Sequence, residues 1–460
     1  MILLWAAACS PQPDFRCEDA SQCVLDGVAG QCEPLGYCSY PDMACASGRR
    51  YGRYAGAGLV EACLPEDDAS TTAVSPTSSS SSGEPSSASG SSSDASSSSG
   101  PSSESSSTSG DPPIPADWWN ANWRSRVRLT VEPGPGSEAL VDVPLLVILE
   151  PDRIAYEHTT GDGRDVRILD PLTQELLPLE VERWDPEGRS FLWVRLPELP
   201  TDTASNLELY YDNPKAEALD GTQVWSAGYV GVWHLGDWAD SSASKLDADA
   251  KTSTALFVPA KAGDGVRLTD ETDPTGLQVE VPSAPAIVDI FSGPGGTAEV
   301  WFRMDEVDGG QQLLNKSSTG FGVDGWTLKT FQDDRIEFRR EVGGFLTQYV
   351  MPRSISLDTW HHAAVVYADD AAKAGPTLYF DGVPVDVEIF VPAQGGTPVS
   401  DNGEPLIIGN DQLQERRFPG DIDEVRLSDV PRSASFLLAQ FESMNDRMIE
   451  WGETDRIDSR

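Results

Sequence analysis

Basic residues are scarce in this chain. Of 460 residues, 33 are Lys or Arg against 74 Asp or Glu, a formal net charge of −41. A surface of that sign repels phosphate backbones and anionic headgroups, which argues against nucleic acid as a partner and against membrane binding through basic patches. Long apolar runs are missing too. Beyond the first dozen residues nothing approaches the roughly 18–20 consecutive apolar residues of a membrane-spanning helix, and the longest candidate, VPLLVIL at Val143–Leu149, has the length of a strand. There are 4 histidines, none before His158. No G-x-S-x-G serine elbow and no phosphate loop occurs, and helical periodicity is scarce before RSASFLLAQFESM near the C-terminus. What remains is an acidic, multidomain, strand-rich chain with 13 Trp and 14 Phe from which to build cores.

Cysteine is present but confined. Six of the 7 cysteines, Cys17, Cys23, Cys32, Cys38, Cys45 and Cys63, crowd into a segment rich in Gly, Pro and Asp with few large aliphatic side chains. Three disulfides would replace the missing core, each contributing about 2–5 kcal/mol in a small exported domain. A zinc site is the alternative, but no C-x2-C knuckle and no nearby histidine supports it. From about residue 67 to 117 the composition shifts to serine, glycine and proline. Such a tract buries nothing and reads as a disordered stalk that holds its flanks about 40 Å apart on average.

That count leaves Cys9 without a partner. It could be a core residue, half of a disulfide, or an acceptor for lipid. LLWAAAC ends in small residues before a cysteine, as a lipobox does, although Ala6 stands where Leu is commoner and the segment lacks a basic start. The reading is a lipidated Cys9 behind a signal-peptide remnant (1–8), with the true start upstream or the chain truncated. Ser10 after it points, by analogy with enteric sorting, to the outer membrane, where several acyl chains would anchor the protein at the cell surface.

From Trp118 onward the chain reads as strands. FLWVRL (Phe191–Leu196), LELYYD (Leu207–Asp212), TAEVWFRM (Thr297–Met304), WHHAAVVY (Trp360–Tyr367), TLYFDGVPV (Thr377–Val385) and PLIIGN (Pro405–Asn410) are β-branched, aromatic or alternating, and Asp381–Gly382 is a hairpin signal. The predicted class is all-β: two antiparallel β-sandwich domains behind a disulfide-rich module (9–66) and the Ser-rich linker (67–117).

The words NWRSRVRLTV, DGRDVRILD, LWVRLPELP and LELYYDNP make 118–224 resemble a bacterial and archaeal β-sandwich domain family of unknown function found in exported proteins. YVGVWHLGD, DSSAS, GTAEVWFRM, DTWHHAAVVY, LYFDGVPV, LIIGN and FPGDIDEVRLSDVPRSASFL make 225–446 resemble a laminin-G-like, concanavalin-A-like jelly roll, leaving 447–460 as a C-terminal tail. The resemblance implies a cell-surface module that binds a glycan or protein ligand without catalysis. The fold also hosts glycoside hydrolases with E-x-D-x-x-E on one strand, so a carbohydrate hydrolase is one alternative and a spacer without ligand another. The nearest approach to that motif is DIDEVR at Asp421–Arg426, where Arg426 replaces the final acid.

Three further expectations follow. His361 and His362 are adjacent in a strand and point to opposite faces, which denies them a shared role, and His234 reads as scaffold. In TAEVWFRM, Ala298, Val300, Phe302 and Met304 share one face while Trp301 sits with Glu299 and Arg303, which makes Trp301 the candidate ligand-binding aromatic. In DIDEVRL, alternation places Asp423 with Val425 and Leu427 on one face and Ile422, Glu424 and Arg426 on the other. An inward carboxylate must accept backbone N–H bonds or hold a cation. The resemblance implies a structural calcium there, with Asp240 as a second ligand.

Overall fold

In a computed structural model the chain divides into two compact units, Met1–Ser106 and Ser107–Arg460. The structure describes parts of 23–51 and most of 114–457, apart from 252–255, 269–276, 307–308, 333–334, 343, 353, 369–374 and 393–396. Cys9, Cys17 and Cys63 lie outside the described residues. Within the first unit a disulfide joins Cys23 to Cys38, and Cys32 and Cys45 are also disulfide-bonded. Cys23 and Cys38 form a small core of their own, beside the short strands Gln31–Cys32, Cys38–Pro41 and Arg49–Tyr51. No helix among the described residues is long and apolar enough to cross a membrane.

The second unit is all-β but for one α-helix among the described residues. Its first sandwich packs a three-stranded sheet (Leu140–Leu149, Ser190–Leu199, Leu179–Arg183) on a four-stranded one. In that second sheet Ser125–Val131 pairs with Ser205–Tyr211 on one side and Ile449–Arg456 on the other. The segment expected as a C-terminal tail is therefore an edge strand of the first sandwich. The chain leaves this sandwich, builds the second, and returns to complete it. The strand packs one side, with Ile449 and Trp451 half-buried against the core.

The second sandwich faces two eight-stranded antiparallel sheets across a core that includes Trp233, Phe302, Leu328, Phe338, Ile408 and Phe418. One sheet centres on Gly295–Met304, Trp360–Ala368 and Gly420–Ser428, and we call it the seam sheet. The other contains Gln312–Lys316, Trp326–Phe331, Arg335–Val342, Phe345–Val350 and Glu388–Val391, and we call it the open sheet. Asp381 and Gly382, the predicted hairpin turn, both have positive φ (50° and 77°) between Thr377–Phe380 and Val383–Val385.

The helix Ala434–Met444 begins where Ser433 accepts a hydrogen bond from the Phe436 N–H, an N-cap that satisfies one of the free donors of the first turn. Phe436, Ala439 and Met444 enter the core of the first sandwich, while Leu437 packs with Ala364, Val366 and Tyr379 of the seam sheet. Both flanks of the helix are thus apolar and it is a wedge between the sandwiches.

Candidate functional site

The seam sheet does not present its outer face to solvent. Trp301 is where alternation put it, opposite the core, but it is 2% exposed and belongs to the core of the first sandwich. Its ring stacks on Phe441 at 5.4 Å with an interplanar angle of 3°, and the Lys261 ammonium sits 4.6 Å from its centroid. It is an anchor of the seam, with no face left for a ligand. Sequence alternation cannot tell a solvent-facing sheet from one covered by a neighbouring sandwich.

Asp423 also differs from expectation. Trp301 pairs with Asp423 and Glu299 with Arg426, so Val300 alone opposes Glu424 and Val425, and Glu424 takes φ 51°. This is a β-bulge, and it inverts the alternation downstream. Ile422, Val425 and Leu427 enter the core of the second sandwich, whereas Asp423 turns away from it and accepts the N–H groups of Ala262 and Glu424, each at 2.9 Å. Asp240 is fully buried and accepts N–H bonds from Val232, Ser242 and Leu246 and the Ser242 hydroxyl.

The bulge falls where the strand changes partners. Asp264–Arg267 pairs with it at Asp421 and Ile422, and Tyr229–Trp233 pairs with it from Val425 onward. Into the gap comes His234, directly after Trp233. Its Nδ1 lies 2.6 Å from Glu424 Oε1 and 3.7 Å from Glu182 Oε2, and its Nε2 lies 3.5 Å from Glu180 Oε2. Glu180 and Glu182 alternate onto one face of Leu179–Arg183 in the first sandwich. Trp193 Nε1 donates to Glu182 at 2.7 Å, Trp225 Nε1 donates to Glu180, and Ser241 Oγ donates to Glu180 at 2.6 Å. Arg426 donates to Glu424 at 3.1 Å and lies over Trp193 at 4.4 Å.

Burial and mutual charge set the protonation of this cluster. Desolvation pushes the Glu182 carboxyl up to about 8. Burial and the neighbouring Glu424 and Glu182 charges push Asp423 well above the usual carboxylate range. For His234 burial works against the charge, and Glu424, Glu182 and Glu180 outweigh it, so its pKa is raised well above the ordinary histidine value. Burial opposes the charge of Glu424 too, yet His234 and Arg426 hold it down at about 2. His234, read from sequence as scaffold, is the centre of the seam. Only the juxtaposition of two sandwiches reveals it. A cleft of about 410 Å³, lined among others by Arg164, Leu179, Glu180, Ser241 and Lys245, opens beside Glu180.

His361 and His362 do point to opposite faces. His361 lies 2.9 Å from Asp381, whereas His362 is beside Trp301 and 3.4 Å from Glu299. Asp421, in the hydrolase-like word, is fully buried and engaged by Arg267 at 2.8 Å and by Arg303 Nε at 2.9 Å.

The open sheet offers a different surface. On one of its faces Lys329 and Glu337 pair at 3.2 Å, and Arg339 and Gln348 both reach Glu337, at 3.0 and 2.6 Å. At one end of this polar strip Phe331 meets Phe390 edge to face at 5.1 Å with the Arg335 guanidinium over both. At the other, Phe321 lies on a loop whose Gly320 carbonyl accepts from Lys329 and Gln312, with Arg416 4.5 Å and Lys329 5.2 Å from the ring. Phe321 is 45% and Phe390 49% exposed. Buried Gln312 Oε1, Asn315 Oδ1 and Thr327 Oγ1 have no hydrogen-bond partner here. None of these residues carried a sequence signal beyond strand character.

Comparison with known proteins finds two family matches along the chain. The family described as the concanavalin A-like lectin/glucanases superfamily, a laminin-G family, matches residues 273–436, and a domain of unknown function, DUF2341, matches 162–245. Glu180, Glu182 and His234 fall in the second match and Glu424 in the first. No curated protein matches the chain in sequence. Among solved structures, the binding domain of Paraclostridial Mosquitocidal Protein 1 is similar with a TM-score of 0.37 and 18% identity over 47% of this chain and 52% of that one. The botulinum neurotoxin serotype D binding domain is similar with a TM-score of 0.36 and 12% identity over 47% and 51%. Domain 4 of AbnA, an extracellular arabinanase from Geobacillus stearothermophilus solved with arabinotriose, has a TM-score of 0.32 and 13% identity over 46% and 97%. The chain thus spans about half the length of the two toxin domains.

Proposed function

We propose that this is an exported, lipid-anchored surface protein that binds a glycan through the open sheet of its laminin-G-like sandwich and does not turn it over. The carrying observation is a pair of exposed aromatic rings, Phe321 and Phe390, with half-buried Phe331, Arg339 and Gln348 between them over the buried Lys329–Glu337 pair. Sugar rings have apolar C–H faces and polar edges, and a surface of this composition fits both. The seam sheet is closed to such use, because its outer face is covered by the first sandwich and the helix. The same burial supports a noncatalytic reading. Asp421, Asp423 and Glu424, the three acids of DIDEVR, are fully buried, Asp421 and Glu424 tied to arginines and His234 and Asp423 to backbone N–H groups, out of reach of a polysaccharide.

Tethering follows from Cys9 and the serine stalk. Full-length protein from its host is expected in the detergent phase of a phase-separation extraction and Cys9→Ala in the aqueous phase, and identical partition of the two would discard the anchor. The binding reading is tested on a glycan array with residues 107–460. Retention of one glycan class that Phe321→Ala and Phe390→Ala both lose supports it. No retained glycan, with capture of a defined extracellular protein instead, replaces the glycan by a protein ligand. Reducing-sugar release from a bound polysaccharide would overturn the noncatalytic reading.

A further inference from the structure

The seam cluster gathers acids, an imidazole and a guanidinium in one largely buried place. Glu180, Glu182, Asp423 and Glu424 supply four carboxyl groups around His234 and Arg426. A buried carboxyl group is held by a proton or by a cation beside it. Geometry shows where a cation would go. One ligand atom each from Glu182, His234 and Glu424 lies within 4.8 Å of the other two. Four-coordinate zinc with bonds of about 2.0–2.1 Å holds neighbouring ligand atoms about 3.4 Å apart. His234 Nδ1 stands 3.7 Å from Glu182 and 2.6 Å from Glu424, so the His234–Glu424 hydrogen bond must open for an ion to enter between them.

Independent of the carboxylate count, two buried atoms lack hydrogen-bond partners. They are Nε2 of His234, which faces Glu180 Oε2 at 3.5 Å and leaves the ligand role to Nδ1, and Oε1 of Glu182, whose side chain is 6% exposed and which alone bears on the site. Gly263 (φ 53°) brings its backbone so close to that oxygen that a Cβ there would fall 2.2 Å from it. An alanine in its place would clash, so the space beside Glu182 depends on glycine. The cleft lined by Glu180 and Ser241 opens on the Nε2 side of His234.

We propose that Glu182, His234 and Glu424 form a structural site for a first-row divalent cation of the zinc class. An imidazole with two carboxylates suits zinc better than calcium, which takes oxygen ligands only. Glu182 belongs to the first sandwich and the other two to the second, so the ion is a cross-link between them. For binding, His234 Nδ1 and the Glu182 carboxyl must both be free of protons, and the ion takes the place of those they carry. Arg426, bonded to Glu424, and Trp193, bonded to Glu182, orient two of the ligands from outside.

The test uses the full chain, stripped with EDTA and then titrated with zinc chloride. Expected are one tightly held zinc per chain by elemental mass spectrometry and a saturable rise of several degrees in melting temperature. Glu182→Gln and Glu424→Gln should weaken binding by about a hundredfold or more, whereas His158→Ala, at a half-buried histidine outside the cluster, should leave it unchanged. Cobalt(II) loaded into the wild-type chain checks the site without a substitution, and should show the intense visible bands of a four-coordinate centre. Absence of stoichiometric zinc, a site that survives Glu182→Gln, or a cobalt spectrum of the six-coordinate aqua type would each overturn the proposal.

Discussion

Glu182 sets the pH response of the seam at the scale of single residues. Burial raises its carboxyl from 4.5 to about 8, so the folded chain keeps a proton that the unfolded chain has released. The stabilisation from that linkage is full below about pH 4.5 and is lost as the pH rises through about 8. His234, raised above 6.5 against the cost of burial by Glu424, Glu182 and Glu180, acts with the same sign: its contribution is full below 6.5 and is lost as the pH rises through its folded value. Glu424 runs the other way. Held down at about 2, it contributes above 4.5 and is lost as the pH falls through 2. The melting temperature of the metal-stripped chain should therefore fall between about pH 5 and about pH 9, and Glu182→Gln should flatten the fall. An equal slope in the variant would remove Glu182 from the account. Trp301→Ala is expected to cost about 3–5 kcal/mol in urea unfolding while leaving ligand binding intact. Asp423 and Asp240 have their N–H partners already, so millimolar calcium is expected to leave the melting temperature of the stripped chain unchanged. A rise removed by Asp423→Asn would restore calcium to this strand.

At the scale of elements, the strands were legible and their surroundings were not. TAEVWFRM and WHHAAVVY read as strands because β-branched and aromatic residues alternate with polar ones, and the structure pairs them over the full length of Gly295–Met304. The Asp381–Gly382 turn was legible because left-handed φ selects those residues. The bulge at Glu424 was not, since one extra residue in a strand leaves no compositional mark and flips every later side chain. The displaced position of Asp423 follows from that alone. The terminal strand Ile449–Arg456 was missed because its partner, Ser125–Val131, lies more than three hundred residues earlier in the chain, beyond the reach of local pattern. Its role gives a direct expectation. A chain truncated after Asp446 loses Met448, Ile449 and Trp451 from the first core and exposes the edge of Ser125–Val131. Its melting temperature should drop by several degrees or it should aggregate. Unchanged melting would show the strand to be dispensable.

At the scale of the whole second unit, the two sandwiches are interlocked by chain path, by the helix Ala434–Met444 and by a buried charge cluster to which each contributes. That arrangement assigns the faces: one sheet of the laminin-G-like sandwich is spent on the seam, and the other is left with exposed Phe321 and Phe390 and with half-buried Arg339 and Gln348 between them. Trp301 and Phe390 are therefore the discriminating pair, one aromatic on each sheet. Isothermal titration of the strongest glycan from the array into residues 107–460 is the measurement that bears most directly on this assignment, made on wild type and on Phe321→Ala, Phe390→Ala and a folded Trp301→Phe. The account predicts that affinity falls at least about tenfold in each open-sheet variant, a loss of about 1.4 kcal/mol or more, and is unchanged in Trp301→Phe. Affinity that survives both open-sheet substitutions, or is lost in Trp301→Phe, would contradict it.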